Sequence, residues 1–477
     1  MLKLAKDYGL YPEGEQDAVT ERAFSQALRR GLGSAIRALK NSEDKTAYRG
    51  ALLRCCLRDI SYDWQSEGTK GYYLYDALLA SGEPEYYEGT IIKKFLSRCS
   101  NGVFYQMVAI LYRFADDGNE DAKEALRSKY EYFVSKKGRL ADNISVDEGA
   151  QWDEVVFHMM HIDGFFAFKR YAEDVGKILL CNPENRKMYN EWFEFRARNV
   201  FGVKRVEAFF TLNYERSAAI KALVDMLRGR ENERLRLQTR AGQGKITVAS
   251  LLCIAREEAT SQNSRGRIVG MIRQFVREAS DFEIRDLAHA ALREEQETVK
   301  ALLLMAFGSK AVLGVSFPLD IAPLIEYAWS DSALLAKAAI DCLKVFKDKR
   351  IHELAVQLLE QKGLCSSALS LLIKNYRKVD DSLIAGLIVK LPHIPHDIQQ
   401  AVGGIYCSHR SKSALSILLH VYQKGDCSFC RYYIVRAMRH CGVLSYDILQ
   451  ECLYDSYDDT RNFARKLIAH ASSCLLI

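Results

Sequence analysis

Cysteine and histidine residues with metal-ligand spacing lie near the C-terminal end of the sequence. Cys427 and Cys430 form a Cys-x2-Cys pair, which is the kind of pair that gives two thiolates to zinc. Cys407 and His409 lie upstream as two further donors. Cys430 also begins an apolar helical stripe, so a thiol packed in the protein core is the simpler interpretation. The sequence therefore predicts no bound metal and no cofactor, and it leaves zinc at these four residues as an alternative.

A second group of potential ligands lies on one predicted helix. Glu154, His158 and His161 are spaced so that all three share one helical face. Helices that build two-metal sites need a second element of this kind, and the sequence contains no convincing one. We therefore expect the two histidines to pack inside the protein or to face a partner.

Signatures of nucleophilic and nucleotide chemistry are absent from the sequence. Residues 242–245 read Gly-Gln-Gly-Lys, but a phosphate-binding loop needs another Gly five positions before the Gly-Lys pair and Ser or Thr directly after the Lys. Thr239 and Ile246 occupy those places, so an inter-helix turn is the better interpretation. No G-x-S-x-G, H-E-x-x-H or dinucleotide fingerprint occurs either, and no enzymatic activity is predicted.

Positive charge is concentrated in one segment. Residues 186–245 contain 14 Lys and Arg against 7 Asp and Glu, whereas the whole chain carries only +6. Cations mixed with aromatic rings can hold phosphates and stack bases. The alternative is a solvated helix face with Glu/Arg pairs, beside aromatic residues in the core. The candidate contacts for nucleic acid or an acidic partner are Arg228, Arg230, Arg234, Arg236, Arg240 and Lys245, and the aromatic residues before them are Tyr189, Trp192, Phe193, Phe195 and Phe201.

Repeated helices must position these residues, because apolar residues recur at i, i+3, i+4 and i+7 in successive blocks. The blocks begin at Ile284, Val299, Ile321, Leu335, Ile351, Cys365, Ile384, Ile398, Leu415, Cys430, Ser445 and Thr460. Every second start from Leu335 follows in steps of 30, 33, 32 and 30 residues. We pair the block at Leu335 with the block at Ile351, the block at Cys365 with that at Ile384, and the block at Ile398 with that at Leu415. A helix pair of this length cannot bury its apolar stripe alone, so the pairs must stack on one another.

The fold class predicted from this repeat is all-α, with a solenoid of stacked antiparallel helix pairs over 201–477. Upstream the spacing is uneven and aromatic residues are more frequent, which predicts a diverged helical region over 1–200. Breaks between helices are expected at 138–151, 229–244 and 308–317.

The segments 281–292 and 460–467 resemble the second-helix signature of HEAT-like repeats. Each places an apolar or Thr residue before an Arg, with Ala three positions on and Leu after it, and an acidic residue precedes the helix. The Asp-Lys-Arg turn at 348–350 matches the bend between the two helices of such a repeat. The resemblance extends over 248–471. It implies an extended concave surface that binds proteins or sometimes nucleic acid, and it implies no reaction.

Composition places the chain among globular proteins. It is 48% hydrophobic and 27% charged, and no apolar run approaches the roughly 18 residues of a membrane span. The start of the sequence lacks the apolar core of a signal peptide. Thirteen cysteines at irregular spacing are typical of a reducing compartment. We therefore expect a cytoplasmic protein without a membrane partner.

The predicted function is a non-enzymatic scaffold that binds a protein partner along its concave surface. The alternative is a nucleic-acid-binding solenoid that uses the basic segment 186–245. Some HEAT-like solenoids are similar to DNA-alkylation glycosylases, which use aromatic and acidic residues beside a lesion. Trp152 with Asp153, and Trp329 with Asp331, supply those residue types without a matching motif.

Overall fold

The structure of the protein is a computed structural model that describes residues 20–139, 146–181, 192–241, 246–259, 265–308, 315–361 and 366–474. Within these ranges the chain forms 27 α-helices and no β-strand, which confirms the predicted all-α class. None of the described helices is long and apolar enough to span a membrane.

In chain order the helices are α1 (Glu21–Arg30), α2 (Gly33–Asn41), α3 (Arg49–Cys56), α4 (Trp64–Glu67), α5 (Gly71–Ser81), α6 (Glu85–Leu96), α7 (Asn101–Asp116), α8 (Glu120–Arg139), α9 (Val146–Ile162), α10 (Phe165–Cys181), α11 (Trp192–Phe201), α12 (Val203–Asn213), α13 (Ala218–Ala241), α14 (Val248–Ala259), α15 (Arg265–Glu278), α16 (Asp281–Arg293), α17 (Glu297–Leu304), α18 (Ala322–Tyr327), α19 (Ala333–Leu343), α20 (Lys349–Gln361), α21 (Ser366–Asn375), α22 (Asp380–Ile388), α23 (His396–Ser408), α24 (Leu415–Lys424), α25 (Ser428–Cys441), α26 (Tyr446–Cys452) and α27 (Asp458–Cys474).

Each apolar block predicted from residue 284 onward coincides with one helix from α16 to α27. Local signals place the helix starts. Ser332 and Ser445 accept hydrogen bonds from backbone N–H groups of α19 and α26, and Ser280 forms a capping box with Glu283 at α16. The apolar stripe of α19 is buried along its length, at Leu335, Ala338, Ala339, Cys342 and Leu343.

One predicted break is wrong. Helix α13 runs through 229–241, because residues with good helix propensity surround the single Gly229 and outweigh it. Helices α8 and α9 likewise extend to Arg139 and from Val146, so the break predicted at 138–151 is narrower than expected. Residues 140–145, 242–245 and 309–314 lie outside the described residues, as does Cys365.

The chain divides into two compact units. Unit 1 comprises Met1–Arg240 together with Ser445–Ile477, and unit 2 comprises Ala241–Leu444. The division of the sequence into 1–200 and 201–477 stays a prediction.

Unit 2 contains two sets of helices. Helices α14, α17, α19, α21, α23 and α25 each pack on the next member of that set, and α18 packs on α20, as α22 does on α24. The closest sequential partners are α18 with α19, α20 with α21, and α24 with α25. The blocks at Leu335 and Ile351 are helices α19 and α20, which the sequence predicted to pair with each other. In the structure each pairs instead with its other neighbour, α19 with α18 and α20 with α21. An apolar stripe shows that a helix must pack, but it does not show which neighbour covers it.

Unit 1 repeats this alternation. Helices α2, α5, α7, α9 and α11 pack side by side in that order, and α6, α8 and α10 form a second set against them. The core between the two sets is aromatic and includes Tyr73, Tyr75, Tyr87, Phe104, Trp152 and Phe168.

The C-terminal segment of unit 1 packs on its N-terminal helices. Helix α26 contacts α2, and the backbone N–H of Ser456 donates to the carbonyl of Gly31 at 2.9 Å. A Cβ atom at Gly33 would lie 1.9 Å from the carbonyl oxygen of Glu451, so only glycine fits at this crossing. The contact joins residues that lie more than 400 positions apart in the sequence.

Candidate functional site

Two inter-helix connections of unit 2 bring a histidine to the Cys-x2-Cys pair. His396 is the first residue of α23, Cys427 caps α25, and Cys430 lies in the first turn of α25. The Nδ1 atom of His396 is 3.2 Å from the Sγ atom of Cys427 and 3.2 Å from that of Cys430. These three donor atoms lie within 4.8 Å of one another. In the described part of the chain, no other group of three such residues is this close.

A short backbone contact holds the two connections together. Ile394 and Gly425 form an isolated parallel β-bridge, in which the N–H of Ile394 donates to the carbonyl of Lys424 at 3.2 Å. The side-chain amide of buried Gln399 donates to the carbonyl of Ile394 at 2.8 Å. The bridge lies two residues before both His396 and Cys427, so it sets the position of the imidazole relative to the thiols.

The other two predicted zinc donors lie elsewhere. The Cys407 thiol donates to the carbonyl of Tyr433 at 3.5 Å, and Nε2 of His409 bonds the carbonyl of Ile373 at 2.9 Å. Of the four predicted ligands, the structure thus brings together only Cys427 and Cys430. The sequence analysis missed His396, although it belongs to a His-x2-His pair with His393.

Two of the three potential ligands on α9, Glu154 and His158, form an ionic group with Arg196. Glu154 bonds Nη1 of Arg196 at 2.7 Å and lies 3.3 Å from Nε2 of His158. Burial alone would raise the pKa of Glu154, but the contacts with His158 and Arg196 lower it to about 2. His158 is buried, whereas His161 is exposed on the surface of unit 1. His158 thus packs inside the protein, and His161 lies on its surface.

Half-buried rings surround His161 and continue across three neighbouring helices. Tyr112 lies 6.3 Å from Tyr72 and 6.0 Å from His161, measured between ring centroids. Phe157 lies 5.0 Å from His161, and the guanidinium of Arg196 covers Phe157 at 4.5 Å. These contacts link α5, α7, α9 and α11 in turn.

Trp64 and Tyr105 extend the same surface. Tyr105 lies two helical turns before Tyr112 on α7, and Trp64 stacks on it with centroids 5.4 Å apart. Trp64 is 50% exposed. Burial raises the pKa values of Tyr72 and Tyr105 to about 12, so both hydroxyls are protonated at neutral pH. We call this surface the aromatic face, and it comprises Trp64, Tyr72, Tyr105, Tyr112, Phe157, His161 and Arg196.

Several cations of the basic segment already have partners. Arg198 bonds Glu194 at 2.6 Å, Lys221 bonds Glu215 at 3.3 Å, and Arg228 lies over the ring of Tyr214 at 4.8 Å. Of the other predicted contact residues, Arg230 is half-buried. The side chains of Arg234, Arg236, Arg240 and Trp192, and all of Lys245 and Tyr189, lie outside the described residues.

The other predicted aromatic residues of this segment are mostly internal. Phe193 is buried and stacks on Phe168 at 5.5 Å, and Phe201 packs against the same ring. Phe195 is exposed. Trp152 is also fully buried, between Tyr130 and Tyr171, and the Tyr171 hydroxyl donates to Asp153. Trp152 and Asp153 therefore pack within unit 1, where Trp152 cannot stack on a base. Trp329 is half-buried and Asp331 is exposed in unit 2.

One buried polar group escaped the sequence analysis. The carboxylate of Asp381 accepts hydrogen bonds from Tyr376 at 2.8 Å, Tyr406 at 2.7 Å, and Ser411 and Ser413 at 2.6 Å each. Burial raises its pKa, but these hydrogen bonds outweigh burial and hold the pKa below its usual range. Four donors surround the two oxygens, so the carboxylate has no open side for a substrate. We interpret this group as structural.

Comparison of the chain with protein-family models, with curated proteins and with solved structures finds no match.

Proposed function

We propose that the protein is a non-enzymatic interaction scaffold that binds a protein partner. The observation that carries this proposal is the aromatic face, in which helices from successive pairs each contribute a ring to one continuous surface. HEAT-like stacking of the helix pairs, which we also propose, would extend such a surface along the chain.

The chemistry of the aromatic face is that of a protein-binding surface. Tyr, Trp and Arg are the residues that most often dominate the energy of protein interfaces. The rings of Trp64, Tyr105 and Phe157 are supported by neighbouring side chains, so binding would order few additional bonds. The hydroxyl groups of the tyrosines supply hydrogen bonds at the edges of an otherwise apolar contact.

Electrostatics favours a protein over nucleic acid at this surface. Phosphate binding requires cations whose charge is not already neutralised. Arg196 on the aromatic face is paired with Glu154. Besides burial, the carboxylates of Glu154, Asp147 and Asp153 raise the pKa of Tyr105, whereas Arg196 lowers it. The aromatic face therefore offers phosphate no excess of positive charge from these residues.

A reducing, cytoplasmic location belongs to the same proposal. The side chains of eleven cysteines are described, and none of these eleven forms a disulfide. Many are buried as small apolar side chains, which agrees with a compartment that keeps thiols reduced.

Affinity purification with matched variants tests the proposal. The bait is the full chain, in nuclease-treated lysate of the producing cell at moderate salt. Trp64→Ala/Tyr105→Ala should weaken the complex about thirtyfold, because two interface hot-spot residues contribute at least about 2 kcal/mol. Phe166→Ala is the control, since this side chain is 68% exposed in unit 1 but lies outside the aromatic face.

The protein partner must bind wild type and Phe166→Ala alike and be lost from the double variant. Equal retention by all three baits would place binding elsewhere and refute the role of the aromatic face. A complex that disappears on nuclease treatment would favour the nucleic-acid alternative.

A further inference from the structure

The geometry points to a structural zinc site in unit 2, with Cys427, Cys430 and His396 as ligands and His393 as the fourth. This site is separate from the proposed partner-binding face in unit 1. The two proposals therefore succeed or fail independently.

The imidazole of His396 lies at nearly the distance from both thiols that tetrahedral zinc requires. Zinc bonds of about 2.3 Å to sulfur and 2.0–2.1 Å to nitrogen place ligand atoms about 3.5–3.8 Å apart in a tetrahedron. The observed distances from His396 Nδ1 to the two Sγ atoms are 3.2 Å, and all three donor atoms lie within 4.8 Å of one another. Rotation of these side chains would adjust the spacing to admit the ion. A soft donor set of two thiols and an imidazole selects zinc over magnesium or calcium.

The start of α25 provides a backbone donor for the sulfur of Cys427. The Sγ atom of Cys427 accepts a hydrogen bond from the backbone N–H of Cys430 at 3.5 Å, as the cap of α25. The N-terminus of a helix carries partial positive charge, which stabilises an anion at this position. On binding, Zn²⁺ would displace one proton from each thiol, and both protons would pass to solvent. His396 would bind through unprotonated Nδ1 and keep its proton on Nε2.

Backbone hydrogen bonds organise the site independently of any metal. The Ile394–Gly425 bridge and the bond from Gln399 fix both connections before an ion arrives. A Cβ at Gly425 would lie 2.7 Å from the carbonyl oxygen of Val421 and 2.4 Å from Oε1 of Gln399, so this close approach favours glycine. A preorganised donor set binds metal more tightly because folding has already ordered its ligands. The ion would then cross-link the connection before α23 to the connection before α25.

His393 lies outside the group whose donor atoms are within 4.8 Å of one another, so its ring would have to rotate to complete the tetrahedron. His393-x2-His396 and Cys427-x2-Cys430 together give the two-cysteine, two-histidine ligand set of structural zinc sites. Pro395 has φ −58° and ψ 155°, the polyproline II conformation, which has three residues per turn. Residues three apart in such a segment share one edge. His393 is exposed, so its ring can change rotamer without disturbing the core.

Elemental analysis of the full-length protein tests the assignment. Protein purified without chelators from zinc-supplemented culture should contain about one zinc per chain. Cys427→Ser and Cys430→Ser should each abolish the zinc. Cys407→Ser is the matched control, because this thiol lies at the opposite end of α23 and should leave the zinc content unchanged. His393→Ala should retain zinc but release it to a competing chelator about tenfold faster or more, since even outer-shell changes weaken metal sites by that amount.

A second measurement covers variants that fail to fold. Cobalt(II) added to chelator-treated wild type should give visible d–d bands of tetrahedral geometry and thiolate-to-metal charge transfer in the near ultraviolet. Wild-type protein with no zinc and no such cobalt spectrum would overturn the site. A Cys427–Cys430 disulfide in freshly purified protein, or zinc lost from folded Cys407→Ser, would overturn it as well. Unchanged zinc release in His393→Ala would remove His393 from the ligand set.

Discussion

Replacing Asp381 tests whether a buried polar group holds the helices of unit 2 together. Asp381 is 5% exposed and lies in the first turn of α22. Its hydroxyl partners come from three other places, namely Tyr376 after α21, Tyr406 in α23, and Ser411 and Ser413 before α24. Asp381→Ala removes the acceptor that all four hydroxyls share. The variant leaves the apolar stripes of these helices intact.

The expected loss of folding stability depends on which hydroxyl groups are left without an acceptor. Tyr406 and Ser411 are both buried, but Ser411 can still bond the Ser413 hydroxyl, which lies 2.9 Å away. The Tyr406 hydroxyl would lose the carboxylate to which it donates. One buried unsatisfied group costs about 1–3 kcal/mol. Tyr376 and Ser413 are partly exposed and can bond water instead. Asp381→Asn should cost about half as much, because its carbonyl still accepts and the serine hydroxyls can rotate to accept from its amide.

Urea unfolding of the full chain, followed by circular dichroism, measures the effect. The order of midpoints should be wild type, then Asp381→Asn, then Asp381→Ala. Asp286→Ala, which removes an exposed carboxylate from α16 of the same unit, should stay within about 0.5 kcal/mol of wild type. If Asp381→Ala unfolds at the same urea concentration as the Asp286→Ala control, the hydroxyl cluster contributes nothing to stability and our reasoning is wrong.

Acid provides an independent check on the same residue. The pKa of Asp381 is held below its usual range in the folded protein. Its contribution to stability is therefore complete above the unfolded pKa of about 4 and is lost as the pH falls through the folded value. The gap between wild type and Asp381→Asn should be constant near neutrality and should narrow below about pH 4. A gap that widens in acid would contradict the assigned sign.

Two further substitutions, the first with a matched control, test contacts within unit 1. Gly33→Ala should destabilise the contact between α2 and α26 by about 1–3 kcal/mol and expose the C-terminal segment to limited proteolysis, because backbone oxygen blocks the added Cβ. Gly89→Ala, where nothing lies within 4 Å, should instead be neutral or stabilising by up to about 1 kcal/mol, and equal proteolysis of both variants would contradict the steric argument. Glu154→Gln should cost about 1–3 kcal/mol at neutral pH, since it leaves Arg196 without its carboxylate. The folded pKa of Glu154 is about 2 against the usual 4.5, so urea midpoints of variant and wild type should converge between those pH values, and a pH-independent gap would contradict the ion pair.

The helices could be predicted from the sequence because their signals are local. The stripe from Leu335 to Leu343 and the capping serine before it lie within one segment, and all of that information is present in the segment itself. The pairing of helices is not local. Helix α20 has its closest contacts with α21, although the turn at 344–348 also joins it to α19. Both neighbours offer apolar stripes, so burial alone does not choose between them.

The proximity of His396 to the Cys-x2-Cys pair was missed from the sequence for a geometric reason. The sequence offered Cys407 and His409 as alternative donors, and His409 is closer to Cys427 in sequence than His396 is. Helix α23 has 13 residues and is therefore about 20 Å long. If α24 reverses the chain direction and α25 reverses it again, α25 begins at the same end as α23. Donors for the start of α25 must then come from the start of α23, where His396 lies, and not from its C-terminal end.

Helix α23 therefore has a polar anchor at each end. Its first residue, His396, contacts the thiols of α25, and Tyr406 in its last turn donates to Asp381 of α22. The two residues are ten positions apart, which corresponds to about 15 Å along the helix. Apolar stripes tolerate small sliding movements between stacked helices, because neighbouring turns present similar surfaces. A hydrogen bond or a metal ligand is lost when its partner moves by an ångström. We infer that the two anchors fix the register of α23 against its neighbours, which the hydrophobic contacts of the repeat do not do alone.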